Sequence, residues 1–167
     1  LRTAFAMAAS GKSGVFLAFD RKVMLGCRAV KVRASGFSAF ESVNARYAAQ
    51  VSNLGLVINE AVLPKCQGQT ALRTDISKNV FLLKLTPGLN PAVFDMLAAM
   101  GYKGIVIEAF GLGGINVLNR GLRGIHRCVE DGISVVVTTQ CLYDSSDLRV
   151  YQVGNKLLEM GVIQGKD

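Results

Sequence analysis

The second half of the chain repeats a pattern of strand, loop and helix. Apolar runs rich in β-forming residues occupy residues 80–85, 104–110 and 133–137. The third run is nearly continuous rather than alternating, which is typical of a parallel strand buried on both faces. The pattern predicts an α/β fold with a parallel, Rossmann-like sheet of three to four strands and right-handed crossovers.

Two helices are predicted between these strands. Asn90 suits the cap of the first helix, with Pro91 at its first position and Gly101 after its last turn. In the second helix, apolar residues recur at helical spacing from 118 to 129, and Gly132 ends it. In such sheets ligands bind at the carboxyl ends of the strands.

The first half is less regular. A helix is predicted over residues 2–9, followed by strands at 15–19 and 23–25 around a turn and a short apolar run at 29–32. This half is interpreted as the last strands of an N-terminal α/β domain.

Composition places a boundary between the two halves. Residues 64–78 contain Pro, Gly, Thr and Ser in the proportions of a linker. The predicted organisation is therefore an N-terminal part at 1–63, a linker at 64–78, and a C-terminal α/β domain at 79–167.

The distribution of charge along the chain bears on whether it binds nucleic acid. The chain has 167 residues and a net charge of +7, and the excess lies in residues 1–78, which hold 11 basic and 4 acidic residues. The basic residues are dispersed and have no Gly-aromatic RNA-binding signature, so no nucleic-acid partner is expected. The longest apolar run has six residues, and a spanning helix needs about 20, so no membrane partner is expected either.

The cysteines and the single histidine do not have the spacing of a metal site. Cys27, Cys66, Cys128 and Cys141 lie far apart and include no C-x-x-C, and His126 has no ligand partner at metal spacing. We predict free thiols, a reducing cytoplasmic location, a structural or exposed histidine, and no metal.

Several motifs occur in the order and spacing of one family. They lie at residues 14–19, 26–32, 37–44, 86–88 (Thr-Pro-Gly), 107–114 (ending Phe-Gly-Leu-Gly-Gly), 138–141 (Thr-Thr-Gln-Cys) and 151–155. The ordered set resembles the asparaginase/glutaminase amidohydrolases, particularly the bacterial cytosolic (type I) branch. The resemblance implies hydrolysis of L-asparagine to aspartate and ammonia through an acyl-enzyme. It also implies that no metal or organic cofactor is needed and that subunits form a homodimer or tetramer.

The resemblance also identifies catalytic parts. Members attack the amide with a threonine in a Thr-Gly-Gly-Thr motif, supported by a Thr-Asp pair. The present sequence contains neither motif at the position where the family has it. Thr74-Asp75 has the same two residues as the family's Thr-Asp pair, but it lies in the predicted linker, downstream of Lys31, and is therefore not that pair. Lys31, in an Arg-x-x-Lys context, matches the family's catalytic lysine. We expect the chain to be a C-terminal portion of such an enzyme and to be inactive alone.

Two further sites follow from the resemblance. Gly111, Gly113 and Gly114 match a loop that reaches the neighbouring subunit's active site, although Gly114 stands where the family often has Asn. Asn116 stands where a dinucleotide fingerprint would have its third glycine, so no nucleotide cofactor is expected. Thr139, Gln140 and Cys141 are either a buried strand end or an effector pocket, as in some cytosolic relatives. Those relatives have an arginine before the aromatic-Gly pair, where this chain has Ala109.

Two other functions stay open on the sequence. The first is the asparaginase-like subunit of an archaeal glutamyl-tRNA amidotransferase, which shares the fold and the glycine loop. The second is a non-catalytic interaction module. The sequence does not decide between asparagine and glutamine.

Overall fold

A computed structural model describes residues 1–65, 69, 71–115 and 119–166, with only the backbone at Asn119. The chain divides into two compact units, Leu1–Leu72 and Arg73–Asp167, and each is described by itself. The predicted Leu118 position and part of the predicted linker lie outside the described residues.

The first unit combines one helix with antiparallel strands. A four-stranded sheet has the order β1-β2-β5-β6, and β3 pairs with β4 in a separate two-stranded sheet. The elements are α1 (Arg2–Ala9), β1 (Phe16–Phe19), β2 (Lys22–Leu25), β3 (Ala29–Lys31), β4 (Phe40–Ser42), β5 (Ala49–Ser52) and β6 (Gly55–Ile58). Met7 of α1 packs on Val23, Ala48 and Ala49 to form a small apolar core.

A tight turn joins the first two strands. Asp20 and Arg21 have φ values of 45° and 60°, which are the positive values that a two-residue type I′ hairpin requires at both central positions. The sequence predicts this turn, and the structure places Lys22 already in β2, opposite Phe19.

The second unit is the predicted parallel α/β layer. Its four strands have the order β10-β9-β8-β7, all parallel, with a helix between each consecutive pair. The elements are β7 (Val80–Lys84), α2 (Val93–Ala99), β8 (Gly104–Ala109), α3 (Asn119–Glu130), β9 (Ser134–Thr139), α4 (Gln152–Glu159) and β10 (Ile163–Gln164). The fold class predicted from the sequence is confirmed.

The core of this unit lies between the sheet and its helices. Ile105 and Ile107 of β8 and Val135 and Val137 of β9 are at most 1% exposed, as expected for central strands with both faces covered. Gly124 lets α3 approach α2, because a Cβ at Gly124 would lie 3.1 Å from the Cβ of Phe94.

The start of α2 differs from the prediction. The Asn90 side-chain oxygen accepts a hydrogen bond from the Ala92 N–H at 3.0 Å, so Asn90 does cap a turn. The helix itself begins at Val93, because residues 91–92 form a tighter turn in which the Phe94 N–H bonds to the Pro91 carbonyl at 3.3 Å. Pro91 is therefore not the first residue of the helix.

Across the described ranges, no helix has both the length and the apolar character needed to span a membrane.

Candidate functional site

The carboxyl ends of three parallel strands are tied together by Gln140. Its side-chain N–H groups donate to the Leu85 carbonyl at 2.6 Å and to the Glu108 carbonyl at 3.0 Å. Its backbone N–H donates to the Ala109 carbonyl at 2.9 Å. The sheet therefore brings the Thr-Pro-Gly segment at 86–88, the glycine loop and residues 139–141 to one edge.

The glycine loop after β8 is closed on itself. The Phe110 N–H donates to the Gly114 carbonyl at 3.0 Å, and the Gly114 N–H donates back to the Phe110 carbonyl at 2.7 Å. Gly111 and Gly113 have φ values of 50° and 117°, which glycine adopts without the strain that a Cβ causes. The loop therefore turns within five residues and leaves Leu112 at its tip.

Gly113 is required by packing as well as by conformation. A Cβ at this position would lie 2.5 Å from Cδ2 of Leu148, which is itself only 1% exposed. Gly114 has no positive φ, but a Cβ there would come within 3.3 Å of the Phe110 carbonyl oxygen. The contribution of Gly114 to the loop is therefore its backbone bridge to Phe110.

An apolar pocket of about 380 Å³ lies beside this loop. Its walls come from the loop, from the segment just before α4 and from the amino end of α4, including Leu112, Leu148, Tyr151 and Val153. Leu112, Tyr151 and Val153 are 38%, 56% and 38% exposed, so the pocket opens among apolar side chains that face solvent.

Hydrogen bonds from the segment before α4 hold one wall of the pocket. The Asp147 N–H donates to the Leu112 carbonyl at 2.8 Å, which joins this segment to the glycine loop. Ser146, 2% exposed, donates its hydroxyl to the Gly165 carbonyl at 2.7 Å. The Gln164 side-chain oxygen accepts from the Leu148 N–H at 3.2 Å, so the segment is fixed at both ends.

Asp147 is the acidic group of this pocket, and it is already paired. Its carboxylate accepts from Nε of Arg149 at 2.8 Å and from the Arg149 backbone N–H at 3.0 Å. These hydrogen bonds from Arg149 lower the pKa of Asp147 from its ordinary value. The carboxylate is therefore held ionised and oriented at the pocket rim.

Lys31 lies in the first unit, at the end of β3 opposite Phe40 of β4. It is exposed, and among the residues that the structure describes no carboxylate lies within ion-pair distance of its ammonium. The acidic residue nearest in register, Glu41, binds Arg33 at 2.8 Å. Lys31 is therefore in the unit separate from the one that holds the glycine loop and residues 139–141.

The side chains of Thr139 and Gln140 make hydrogen bonds within the edge of the sheet. Besides the Gln140 bonds, the Thr139 hydroxyl accepts the Cys141 N–H at 3.0 Å. Ala109, where the relatives with an effector pocket have an arginine, is fully buried. A strand end accounts for these contacts without a ligand, and the effector pocket stays a prediction.

The thiols and the histidine have separate environments. Cys27 and Cys141 are exposed free thiols, whereas Cys128 is buried, and Cys66 lies outside the described residues. Burial, followed by the nearby Asp95 and Asp131, raises the pKa of Cys128.

The His126 side chain is 45% exposed, with Nδ1 3.7 Å from Glu130. No group of three His, Cys, Asp or Glu side chains within the described segments could hold a metal ion.

Reasoning from the sequence did not find the apolar pocket. Its walls lie far apart in the chain, although they include parts of two motifs that the sequence singles out, at residues 107–114 and 151–155. Nothing in the sequence indicates that these two motifs border one pocket.

Both units match models of one family. The glutaminase/asparaginase C-terminal domain matches residues 79–167, and the asparaginase N-terminal domain matches residues 1–63. The chain therefore belongs to the glutaminase/asparaginase family.

Particular relatives agree with this membership. The chain is 38% identical to the L-asparaginase of Thermococcus kodakarensis over 168 residues, covering 100% of this chain and 50% of that protein. A solved structure of the thermostable L-asparaginase from Thermococcus kodakarensis superposes with a TM-score of 0.90 at 37% identity, over 99% of this chain and 50% of that one. L-asparaginase I from Vibrio cholerae gives a TM-score of 0.81 at 26% identity, over 92% and 46%.

The chain is also similar to a protein that is not named as an asparaginase. A glutamyl-tRNA(Gln) amidotransferase subunit of Methanopyrus kandleri is 35% identical over 153 residues, covering 85% of this chain and 32% of that protein. The chain thus spans half the length of the Thermococcus asparaginase and about a third of the Methanopyrus protein.

Proposed function

We propose that this chain is part of an L-asparaginase that hydrolyses L-asparagine to L-aspartate and ammonia. The observation that supports this most is the likeness to the Thermococcus kodakarensis L-asparaginase over the whole chain, at 38% identity. In this reaction a threonine hydroxyl attacks the side-chain amide carbon, the C–N bond breaks, and ammonia leaves with the proton it gains. Water then cleaves the acyl-enzyme to release aspartate and restore the hydroxyl.

Lys31 supplies the positive charge for the first step. A threonine hydroxyl is a weak nucleophile until a neighbouring base takes its proton, and a buried, partnered lysine can tune that step. Within the described residues Lys31 has no acid partner, so in this proposal an aspartate supplied by the rest of the enzyme completes the pair.

The second unit supplies walls rather than reacting groups. The glycine loop presents backbone atoms and Leu112, and the apolar pocket beside it suits contact with another subunit in a homodimer or tetramer. We infer that Gly111, Gly113 and Gly114 serve this contact and that the enzyme is cytoplasmic.

A chimera tests the proposal. This chain would replace the matching half of the Thermococcus kodakarensis L-asparaginase, so that the relative supplies the remaining half with its own residues. We expect the chimera to release ammonia from asparagine, and the 167-residue chain alone to release none. A chimera that is folded, with a cooperative melting transition, but does not hydrolyse asparagine would overturn the proposal.

Lys31→Met in that chimera tests the role of the lysine. A positioned acid-base group typically contributes about 10²–10⁴ in rate, so we expect kcat to fall by that factor while KM changes less. Lys65→Met is the matched control, because Lys65 is also exposed and is expected to leave turnover close to that of the parent. Near-normal turnover in the Lys31 variant would remove Lys31 from the mechanism.

The amidotransferase subunit is the second candidate, favoured by the 35% identity to the Methanopyrus kandleri protein. It would use the same amide chemistry to supply ammonia to a partner. A second chimera, in which the Methanopyrus kandleri protein supplies the remaining part, would favour this candidate if it is active and the Thermococcus chimera is not.

A further inference from the structure

A basic groove lies in the second unit, and its lining shares no residue with the pocket beside the glycine loop. It has a volume of about 560 Å³ and runs between the amino end of α2 and the exposed face of α3. Arg120, Arg123, His126 and Arg127 line it from α3, and Asn90 and Asp95 line it from the α2 side. None of these residues belongs to the motifs that support the proposed function.

The arginines of this groove are not equivalent. Arg127 is neutralised, because its guanidinium lies 2.7 Å from one carboxylate oxygen of Asp95 and 3.0 Å from the other. Arg120 and Arg123 have no acidic partner among the residues that the structure describes. Two unpaired guanidinium groups therefore share the groove with the single, already paired carboxylate of its lining.

The position of these two arginines on α3 increases the charge imbalance. Both lie near the amino end of the helix, which carries the positive end of the helix dipole, and the first turn contains no acidic residue. An Asp or Glu at this end would stabilise the helix, whereas the arginines do not. An anion bound in the groove would relieve the repulsion between the guanidinium groups and the dipole.

We propose that this groove binds a small anion that carries at least two negative charges, as carboxylate or phosphate groups. Each guanidinium presents a planar fork of N–H donors that matches two oxygens of such a group. Asn90 uses its side-chain oxygen to cap Ala92, which leaves its amide N–H groups as further donors on the opposite wall. The volume is that of a metabolite-sized ligand, since small-molecule pockets measure about 300–1,000 Å³.

Titration calorimetry on the 167-residue chain tests this proposal, with citrate and pyrophosphate as probes at fixed ionic strength. Citrate reports recognition of carboxylates and pyrophosphate recognition of phosphates. We expect one anion per chain for at least one probe, and at least a tenfold rise in Kd for the double variant Arg120→Gln/Arg123→Gln. The double variant Arg46→Gln/Arg73→Gln removes the same net charge from exposed positions elsewhere, and its Kd is expected to change less than twofold.

Thermal unfolding shows whether the groove double variant is folded, so that a loss of anion binding is not mistaken for a folding defect. Without anion, the groove double variant is expected to melt at or above the temperature of the parent, because the repulsion at the amino end of α3 is removed. With anion, the parent and the control variant should gain melting temperature and the groove variant should not. Equal weakening in both double variants would mean that overall charge binds the probes, and the absence of binding to both probes would also overturn the proposal.

Discussion

At the scale of single residues, Gln140 holds the edge of the sheet on which the candidate site lies. Its side chain reaches the Leu85 carbonyl just after β7 and the Glu108 carbonyl on β8, and the second of these also accepts the Leu85 N–H at 3.0 Å. Leu85, which carries the first of these carbonyls, is only 2% exposed, so the lost partner would not be replaced freely by water. The glycine loop and residues 86–88 therefore depend on this amide for their relative position.

Gln140→Leu is expected to destabilise the chain. The substitution keeps the size of the side chain but removes the Gln140 donor from the buried Leu85 carbonyl and leaves the Glu108 carbonyl with the Leu85 N–H alone, at a cost of about 1–3 kcal/mol in the free energy of unfolding. Urea denaturation would measure this loss. The exposed Cys141→Ala is the control, and surface changes of this kind usually stay within about 0.5 kcal/mol. If both variants unfold at the same urea concentration, Gln140 does not hold the edge.

Cys128 is expected to make stability depend on pH in the alkaline range. Burial raises its folded-state pKa above the unfolded value of about 8.5, so above that pH the unfolded chain loses the proton first. Stability from the buried thiol is complete below about pH 8.5 and falls as pH rises towards the folded pKa, by at most about 1.4 kcal/mol per pH unit.

The measurement is the difference in unfolding free energy between the parent and Cys128→Ala at pH 7 and at pH 10. This difference should shrink at the higher pH, because the alanine variant has no thiol to titrate. Val135→Ala, at a site equally buried but without a titratable group, should keep a constant difference. A difference for Cys128→Ala that does not change with pH would contradict the raised pKa.

At the scale of elements, α4 depends on a glycine inside the helix. A Cβ on Gly154 would overlap the backbone carbonyl oxygen of Leu148, which belongs to the segment that carries the pocket wall. Gly154→Ala should therefore lower stability by about 1–3 kcal/mol, although alanine favours an isolated helix by about 1 kcal/mol. The midpoint of urea denaturation measures the net effect.

Gly124→Ala in α3 is the matched comparison. Its new Cβ would lie 3.1 Å from the Cβ of Phe94 rather than overlapping a carbonyl oxygen, so a shift of a few tenths of an ångström between α3 and α2 would relieve the contact. We expect Gly154→Ala to cost more than Gly124→Ala. The reverse order would mean that the segment before α4 moves more easily than the core around Phe94.

The elements that could be predicted from the sequence are those in which a long run of apolar residues is buried. The strands β7, β8 and β9 and helix α3 lie within one or two residues of their predicted positions, because their apolar runs face a core on both sides or along a whole helix face. The hairpin of β5 and β6 was not predicted. Its strands have four residues each, and Val57 in β6 is 56% exposed, so the apolar signal is weak.

The candidate site could be predicted only in part. The glycine loop and residues 139–141 follow strands, so their common edge follows from the rule for parallel sheets. The bond from Gln140 to Leu85 could not be predicted, because it joins residues 55 positions apart and depends on strand order. Likewise, α4 was not predicted, since Gly154 obscures a helix that is stabilised by packing against Leu148.

At the scale of the whole molecule, the apolar rim around the glycine loop bears on assembly. Leu112 at the tip of this loop and Tyr151 beside it are exposed, around a pocket of about 380 Å³. Apolar residues grouped around a pocket mark contact surfaces more often than single exposed ones do. If subunits associate through this rim, a charge at its centre should weaken the association.

Leu112→Asp is expected to raise the dissociation constant of the oligomer by at least tenfold, because the carboxylate would lose its water without gaining a partner. Sedimentation velocity over a range of protein concentrations would measure the shift towards the monomer. Met96→Asp, which adds the same charge at an exposed apolar site on α2, should leave association unchanged. Equal loss of association in the two variants would show that net charge acts rather than the rim. An oligomer unaffected by Leu112→Asp would mean that the rim lies outside the subunit contact, and the interface role of the glycine loop would then fail with it.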